Sequence, residues 1–342
     1  MMAPAIEVRN LYKVFGPRGA EMMPRLHQGM SKDDLLRETG HVLGLRDISF
    51  SVSKGDIYVV MGLSGSGKST LVRQLNRLIE PTAGEIIVDG QDVLRLGTRE
   101  LARFRQRSMA MVFQNFGLLP HRTVLENVRY GLDIRKVNRA EANRHTRTLI
   151  GEVGLEGYEN RYPSQLSGGM RQRVGLARAL ANNTDILLMD EAFSALDPLI
   201  RTEMQTLLVH LQKTMSKTII FISHDLDEAM RLADRMMILK DGSVEQEGDP
   251  QEIACNPAPG YVARFVSEIY RARTLRIGTI MKPVPIEGSA IEVTRTTTLE
   301  EALRLARGDL AARFRALDGG TVIGRTDMAD LLRGISGPPS ES

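Results

Sequence analysis

Residues 57–70 read Ile57-Tyr58-Val59-Val60-Met61-Gly62-Leu63-Ser64-Gly65-Ser66-Gly67-Lys68-Ser69-Thr70, and the fold follows largely from them. A short apolar run of strand length leads into a glycine-rich turn that opens a helix, which is the context the phosphate-loop pattern requires. Glycines let backbone N–H groups surround phosphate oxygens, and the helix start adds partial positive charge. We expect Lys68 to reach the β- and γ-phosphates and the Ser69 hydroxyl to bind Mg²⁺. The alternative is a purely structural glycine turn.

A second apolar run, Ile186-Leu187-Leu188-Met189, ends in the carboxylates of Asp190 and Glu191. The end of a strand beside a phosphate loop is where a carboxylate that holds Mg²⁺ belongs, so Asp190 is expected to take this role. Glu191 comes one residue later and points elsewhere, which places it to polarise an attacking water. Without the phosphate loop, the pair would indicate only a solvated acidic turn after a core strand.

A third motif is Leu166-Ser167-Gly168-Gly169-Met170-Arg171-Gln172-Arg173, which precedes an apolar helical run from Val174 to Leu180. Ser167, Gly168 and Gly169 therefore stand at the N-terminus of a helix that can receive a phosphate. The sequence thus predicts a second anion site in the same chain.

Along the chain the phosphate loop comes first, then the Ser-Gly-Gly motif, and then the strand that ends in Asp190 and Glu191. This order resembles the nucleotide-binding subunits of the ABC ATPases, over residues 6 to about 245. In that family the Ser-Gly-Gly motif of one subunit closes on the phosphate loop of another, and the resemblance implies this for Ser167 and Gly169. It also implies that Gln114, after the strand 109–113, contacts Mg²⁺ and water and relays to a membrane partner. His224 is similar to the histidine that contacts the γ-phosphate, although a lone histidine is more often structural.

The resemblance extends to two further segments and to the ligands. Phe15 occupies the aromatic position that stacks on adenine in this family, with Tyr12 as the nearby alternative, and either ring could instead belong to the core. Ser194-Ala195-Leu196-Asp197 is similar to the loop at the dimer seam. ATP and Mg²⁺ are the implied cofactors, and the implied metal-binding residues are Ser69, Gln114 and Asp190.

The pattern of apolar and polar residues along the rest of the chain predicts the architecture. β-rich apolar runs alternate with helical stretches from Ile57 onward, which argues an α/β core. Residues 6–11 alternate apolar and polar side chains as a half-buried strand does, and residues 115–181 are mostly helical and predict a separate lobe. Residues 17–44 interrupt the pattern, but Ser31-Lys32-Asp33-Asp34 reads as a capping box, so the insertion is expected to be ordered. The resemblance implies a P-loop NTPase core of ABC type with an antiparallel β subdomain.

Three features are similar to the importer subgroup for glycine betaine, proline betaine and choline. They are Met170 in place of the family's commoner Gln, the insertion 28–33, and the run 61–78. Members of this subgroup commonly carry C-terminal CBS domains, and Ile277-Gly278-Thr279-Ile280-Met281 resembles the start of one.

The domain prediction combines these points. We expect an ABC ATPase domain at 1–275 with its helical lobe at 115–181, a truncated α/β CBS-like unit at 276–335, and a disordered tail at 336–342. The C-terminal segment has room for one CBS-like unit and not for the usual tandem pair.

Composition limits the class of protein. The chain has 342 residues, and 45 basic against 42 acidic residues give a formal charge of +3, well short of the basic footprint of a dedicated nucleic-acid binder. Cys255 is the single cysteine, which excludes an internal disulfide and fits a reducing compartment. There is no apolar stretch of 18 residues and no signal-peptide pattern at the N-terminus. These features favour the cytoplasm, and the resemblance to ABC ATPase subunits implies a peripheral protein on the cytoplasmic face of the inner membrane.

The implied partners are a second copy of the chain, integral membrane permease subunits and, indirectly, an external substrate-binding protein; nucleic acid is not expected. Two other classes of protein share part of these motifs. A P-loop kinase shares Lys68 and Ser69 but has no use for the Ser-Gly-Gly helix or for His224. An ABC ATPase acting on DNA or ribosomes would need a long coiled-coil insertion or a second cassette in the chain, and this sequence contains neither. An importer of another small solute stays open within the favoured class.

Overall fold

A computed structural model of the chain describes residues 3–114, 117–267, 271–283 and 289–336. The first residues of the expected helical lobe, 115 and 116, and the expected tail beyond Ser336 lie outside this description. The chain forms two compact units. The first unit comprises Met1–His224 and Met237–Val244, and the second comprises Asp225–Met236 and Glu245–Ser342.

Strands are numbered along the chain. They are β1 (Ile6–Phe15), β2 (Val42–Val52), β3 (Ile57–Met61), β4 (Ala83–Val88), β5 (Gln91–Asp92), β6 (Met109–Val112), β7 (Ile186–Asp190), β8 (Thr218–Ser223), β9 (Arg235–Lys240), β10 (Ser243–Gly248), β11 (Ile291–Thr294), β12 (Arg313–Asp318) and β13 (Thr321–Asp327).

Helices are numbered in the same way. They are α1 (Met23–His27), α2 (Lys32–Thr39), α3 (Lys68–Leu75), α4 (Thr98–Arg107), α5 (Val124–Ile134), α6 (Arg139–Glu152), α7 (Gly168–Ala181), α8 (Pro198–Met215), α9 (Leu226–Leu232), α10 (Pro250–Cys255), α11 (Tyr261–Ser267), α12 (Arg271–Thr274), α13 (Ile277–Ile280), α14 (Leu299–Ala306) and α15 (Met328–Ser336).

The central sheet has the strand order β10-β9-β3-β8-β7-β6. β3, β8, β7 and β6 run parallel, with Met61 beside Ser223 and Asp190 beside Ile222. Both faces of these strands are buried, which explains why each reads as an unbroken apolar run in the sequence. Because parallel strands end at the same edge, the residues that follow β3, β7 and β8 meet there.

An antiparallel sheet with the order β2-β1-β4-β5 confirms the implied β subdomain. The predicted strand from Ile6 continues to Phe15, because β2 pairs with it from Val52 back to Val42. Register shifts along this pair break the simple alternation after Val8. β1 and β2 share one hydrophobic core with β3, β7 and β8.

The insertion between β1 and β2 is ordered, as predicted. Ser31 caps α2 by accepting a hydrogen bond from the Asp34 backbone N–H at 3.0 Å, and Gly40 ends the helix in the left-handed conformation at φ 71°. α1 and α2 enclose a separate apolar cluster. Its buried members are Val14, Leu26, Leu35 and Leu43.

The helical lobe consists of α5, α6 and α7, which pack on one another. Thr123, Asn138 and Ser167 cap the three helices through their side-chain oxygens. The predicted helical character of this region is thereby confirmed for the residues that the structure describes.

The second unit contains a small sheet with the order β11-β12-β13, in which β11 and β12 are parallel and β12 and β13 antiparallel. α12, α14 and α15 pack together, and Phe314 and Leu331 are fully buried. This α/β arrangement fits the CBS-like unit expected from the sequence, which stays a proposal. Among the described residues, no helix combines the length and apolar character needed to cross a bilayer.

Candidate functional site

The phosphate loop connects β3 to α3, and its backbone admits only glycine at two points. Gly62 has φ 144°, and a Cβ there would lie 2.3 Å from the Leu239 carbonyl oxygen. Gly67 has φ 104°, and a Cβ there would lie 2.7 Å from the Gly44 carbonyl oxygen. Strands β2 and β9 thus hold the loop closely on two sides, and the loop has the form of a phosphate cradle.

The Lys68 ammonium lies inside this cradle. The side chain is 4% exposed, and Nζ donates hydrogen bonds to the carbonyl oxygens of Gly62 at 2.7 Å and Leu63 at 3.0 Å. Burial lowers the pKa of Lys68, while the carboxylates of Glu191 and Asp190 oppose this shift. The Ser66 hydroxyl is buried in the same loop and has no hydrogen-bond partner within the part of the chain that the structure describes. These features fit the binding of phosphate oxygens.

Asp190 ends β7 with its side chain almost fully buried. Ser69 Oγ donates to Asp190 Oδ1 at 2.9 Å, and Arg73 Nη2 donates to Oδ2 at 3.3 Å. The described residues contain no group of three or more His, Cys, Asp or Glu side chains placed to hold a metal. Mg²⁺ bound with a nucleotide takes most of its ligands from phosphate and water, so a hydroxyl beside one carboxylate fits this ion.

Arg73 was not singled out from the sequence. It stands four residues after Ser69 on α3, a spacing that places both side chains on one face of the helix. That spacing is the signal from which its contact with Asp190 could have been anticipated.

Glu191 adopts the left-handed conformation with φ 47°, which is rare and strained for a residue with a side chain. Its carboxylate lies within reach of three side chains. Gln114 Nε2 donates to Oε2 at 3.4 Å, His224 Nδ1 is 3.7 Å from Oε2, and Lys68 Nζ is 3.9 Å from Oε1. The structure therefore brings together Lys68, Gln114, Glu191 and His224, which follow four different strands.

The two aromatic candidates for the adenine have different surroundings. The Phe15 ring is 38% exposed, with Lys13 Nζ 5.0 Å from its centroid. Tyr12 packs against the apolar cluster of the insertion, and its ring meets the edge of His27 at 5.6 Å between centroids. Phe15 is thus the more exposed ring, and Tyr12 on β1 packs against the insertion.

The Ser-Gly-Gly motif begins α7 as expected. Ser167 Oγ accepts a hydrogen bond from the Met170 backbone N–H at 3.3 Å. A Cβ on Gly169 would lie 2.6 Å from Ile200 Cγ2 on α8, so the start of α7 packs closely there.

Residues 194–197 connect the Glu191 turn to α8. Ser194 Oγ donates to the Glu191 carbonyl oxygen at 2.9 Å, and Asp197 caps α8 by accepting from the Ile200 backbone N–H at 3.1 Å. A movement of this segment would therefore be transmitted to the backbone of Glu191.

Comparisons with known proteins agree on one family. Residues 45–194 match the family model described as ABC transporter. The chain is 55% identical over 276 residues to the glycine betaine/carnitine transport ATP-binding protein of Listeria monocytogenes, covering 81% of this chain and 70% of that protein. It is 47% identical over 332 residues to the trimethylamine N-oxide transport system ATP-binding protein of Ruegeria pomeroyi, covering 97% of each.

A solved structure shares the fold. It is a dimeric ATP-binding cassette in a post-hydrolysis state, bound to ADP and Pi, with a TM-score of 0.61 and 31% identity. The likeness covers 72% of this chain and 98% of that chain.

Proposed function

This chain belongs to the ABC transporter family, and we propose that it is the ATP-hydrolysing subunit that energises import of glycine betaine, proline betaine or choline. The observation that carries this proposal is the meeting of Lys68, the Ser69–Asp190 pair and Glu191 at one edge of the parallel sheet. The identity to betaine transport subunits supplies the solute class.

Each side chain has a proposed role in hydrolysis. The loop 62–70 binds the phosphates, with Lys68 on the β- and γ-phosphates. Ser69 and Asp190 hold Mg²⁺, which neutralises charge on the phosphate oxygens when bound. Phe15 stacks on the adenine.

Glu191 is the proposed general base for the attacking water. Its carboxylate accepts a hydrogen bond from Gln114 and lies beside His224, so both side chains fix its direction. Gln114 would also contact Mg²⁺ and relay its state to the membrane partner. His224 would contact the γ-phosphate. The strained backbone of Glu191 aims the carboxylate away from Asp190 and toward these groups.

The proposed active form is a dimer of this chain on the cytoplasmic face of the membrane, bound to permease subunits that receive solute from an external binding protein. Ser167, Gly168 and Gly169 of one subunit then cap the γ-phosphate held by its partner. The solved relative is dimeric, which supports the two-chain site. Closure and reopening of the dimer gate the permease.

A second solute has specific support. The trimethylamine N-oxide relative matches this chain along 97% of both lengths, whereas the betaine/carnitine relative extends well beyond the matched region. Both solutes carry a methylated nitrogen, so trimethylamine N-oxide belongs among the solutes to be tested.

The proposal is tested by uptake of radiolabelled solutes in cells that lack the gene. The cells are complemented with the wild-type chain or with Lys68→Ala, which lacks the phosphate-binding ammonium. We expect uptake of glycine betaine, proline betaine or choline with the wild type only. Uptake restricted to trimethylamine N-oxide would establish the second solute. If the wild-type chain restores uptake of an unrelated solute only, both proposed solutes are wrong.

A further inference from the structure

We propose that Arg73 is a positioning residue that fixes the Asp190 carboxylate for Mg²⁺. This rests on the proposed function, because it concerns the metal that accompanies ATP. The two carboxylate oxygens have separate partners. Oδ1 accepts from Ser69 Oγ at 2.9 Å, and Oδ2 accepts from Arg73 Nη2 at 3.3 Å. A carboxylate bound through both oxygens cannot rotate freely, so Oδ1 stays directed at the Ser69 hydroxyl.

Burial makes the Arg73 contact important. The Asp190 side chain is only 6% exposed, whereas the Arg73 side chain is 45% exposed. A buried carboxylate that loses its cation is strongly disfavoured. Arg73 therefore holds the Asp190 carboxylate in place through Oδ2, at little desolvation cost to its own guanidinium.

Lys68 does not replace Arg73 in this role. Its Nζ hydrogen bonds go to the Gly62 and Leu63 carbonyl oxygens, and its ion pair is with Glu191 at 3.9 Å. Among the described residues, Arg73 is the cation in an ion pair with Asp190. Arg73 on α3 thus contacts the metal-binding carboxylate directly, whereas the Lys68 hydrogen bonds go to the phosphate loop.

The experiment measures metal binding directly. The full-length chain is loaded with a non-hydrolysable ATP analogue, and bound Mn²⁺ is counted by electron paramagnetic resonance. Arg73→Met keeps an unbranched apolar stem and removes the charge, and Arg73→Lys keeps the charge. Arg95→Met is the matched control, because Arg95 is 82% exposed and pairs with Asp92 at 2.9 Å. Arg73→Gln serves if Arg73→Met does not fold.

Loss of an outer partner of a metal ligand typically weakens metal binding by about 10- to 100-fold, and we expect a change of this order for Arg73→Met. Binding of the analogue in EDTA should be unchanged, Arg73→Lys should recover most of the Mn²⁺ affinity, and Arg95→Met should match the wild type. Saturating Mg²⁺ should restore kcat in Arg73→Met.

Two results would overturn the inference. One is Mn²⁺ affinity in Arg73→Met equal to that of the wild type. The other is an equal loss of analogue binding in EDTA, which would show a structural role. A wild-type chain that binds no ATP analogue would instead overturn the proposed function itself.

Discussion

At the scale of single residues, the site depends on side chains whose direction is set by local backbone geometry. Glu191 follows Asp190 directly, yet its left-handed backbone at φ 47° turns its carboxylate to Gln114 and His224. Phe15 and Tyr12 are three residues apart on β1, yet one ring is exposed and the other packs under the insertion. The residue types were evident from the sequence, but these directions were not.

Phe15→Ala should weaken ATP binding while leaving the fold intact. Stacking of a base on an aromatic side chain contributes about 1–3 kcal/mol, so we expect a loss of about five- to 150-fold in affinity. Binding of a fluorescent ATP analogue measures the change. Tyr12→Leu is the comparison variant, and its affinity should match that of the wild type. A larger loss for Tyr12→Leu than for Phe15→Ala would assign the adenine to the other ring.

At the scale of elements, the sequence predicts best where burial is uniform or where one residue marks a boundary. β3 and β7 are buried on both faces, and their apolar runs revealed them. β12 was not predicted, although its buried Phe314 and Ala316 alternate with Arg313 and Arg315 as in a half-buried strand. α1 was missed because it has five residues and contains Pro24.

The cap of α2 provides a test at this scale. Ser31→Ala removes the acceptor for the Asp34 N–H, and loss of such a cap typically costs about 1 kcal/mol, or roughly fivefold in a local equilibrium. We expect amide hydrogen exchange to accelerate by this factor across Lys32–Thr39. Ser31→Thr keeps the hydroxyl and should preserve protection. Unchanged exchange in Ser31→Ala would show that packing alone holds the helix.

At the scale of the whole molecule, the residues assigned to nucleotide chemistry lie in the first compact unit, between Phe15 and His224. The second unit combines β11, β12 and β13 with the helices around them. The motif order predicted the ATP-binding fold, since each motif follows a buried strand or opens a helix. The division into units could not be predicted equally well, because residues 225–236 and 245–275 cluster with the C-terminal segment through contacts that sequence patterns do not reveal.

Deleting residues 276–342 should leave basal ATP turnover close to that of the full chain, because the proposed site residues remain. Steady-state phosphate release from the purified truncated protein measures this. The same deletion combined with Lys68→Ala is the inactive reference. A well-folded truncated protein that binds no nucleotide would show that the C-terminal segment belongs to the catalytic unit.

In the proposed active form two chains share each site, and Glu191 is the base. Glu191→Gln keeps side-chain volume and removes the carboxylate, and because general-base help is worth about 10²–10⁴ in rate, turnover should fall by that factor. Lys68, Ser69 and Asp190 still hold ATP and Mg²⁺, so the unhydrolysed nucleotide should join two chains through Ser167 and its neighbours.

Size-exclusion chromatography with light scattering tests this claim directly. Glu191→Gln with saturating MgATP should elute as a dimer, and Lys68→Ala under the same conditions should elute as a monomer. A Glu191→Gln chain that binds MgATP, has lost turnover and still elutes as a monomer would contradict the shared site.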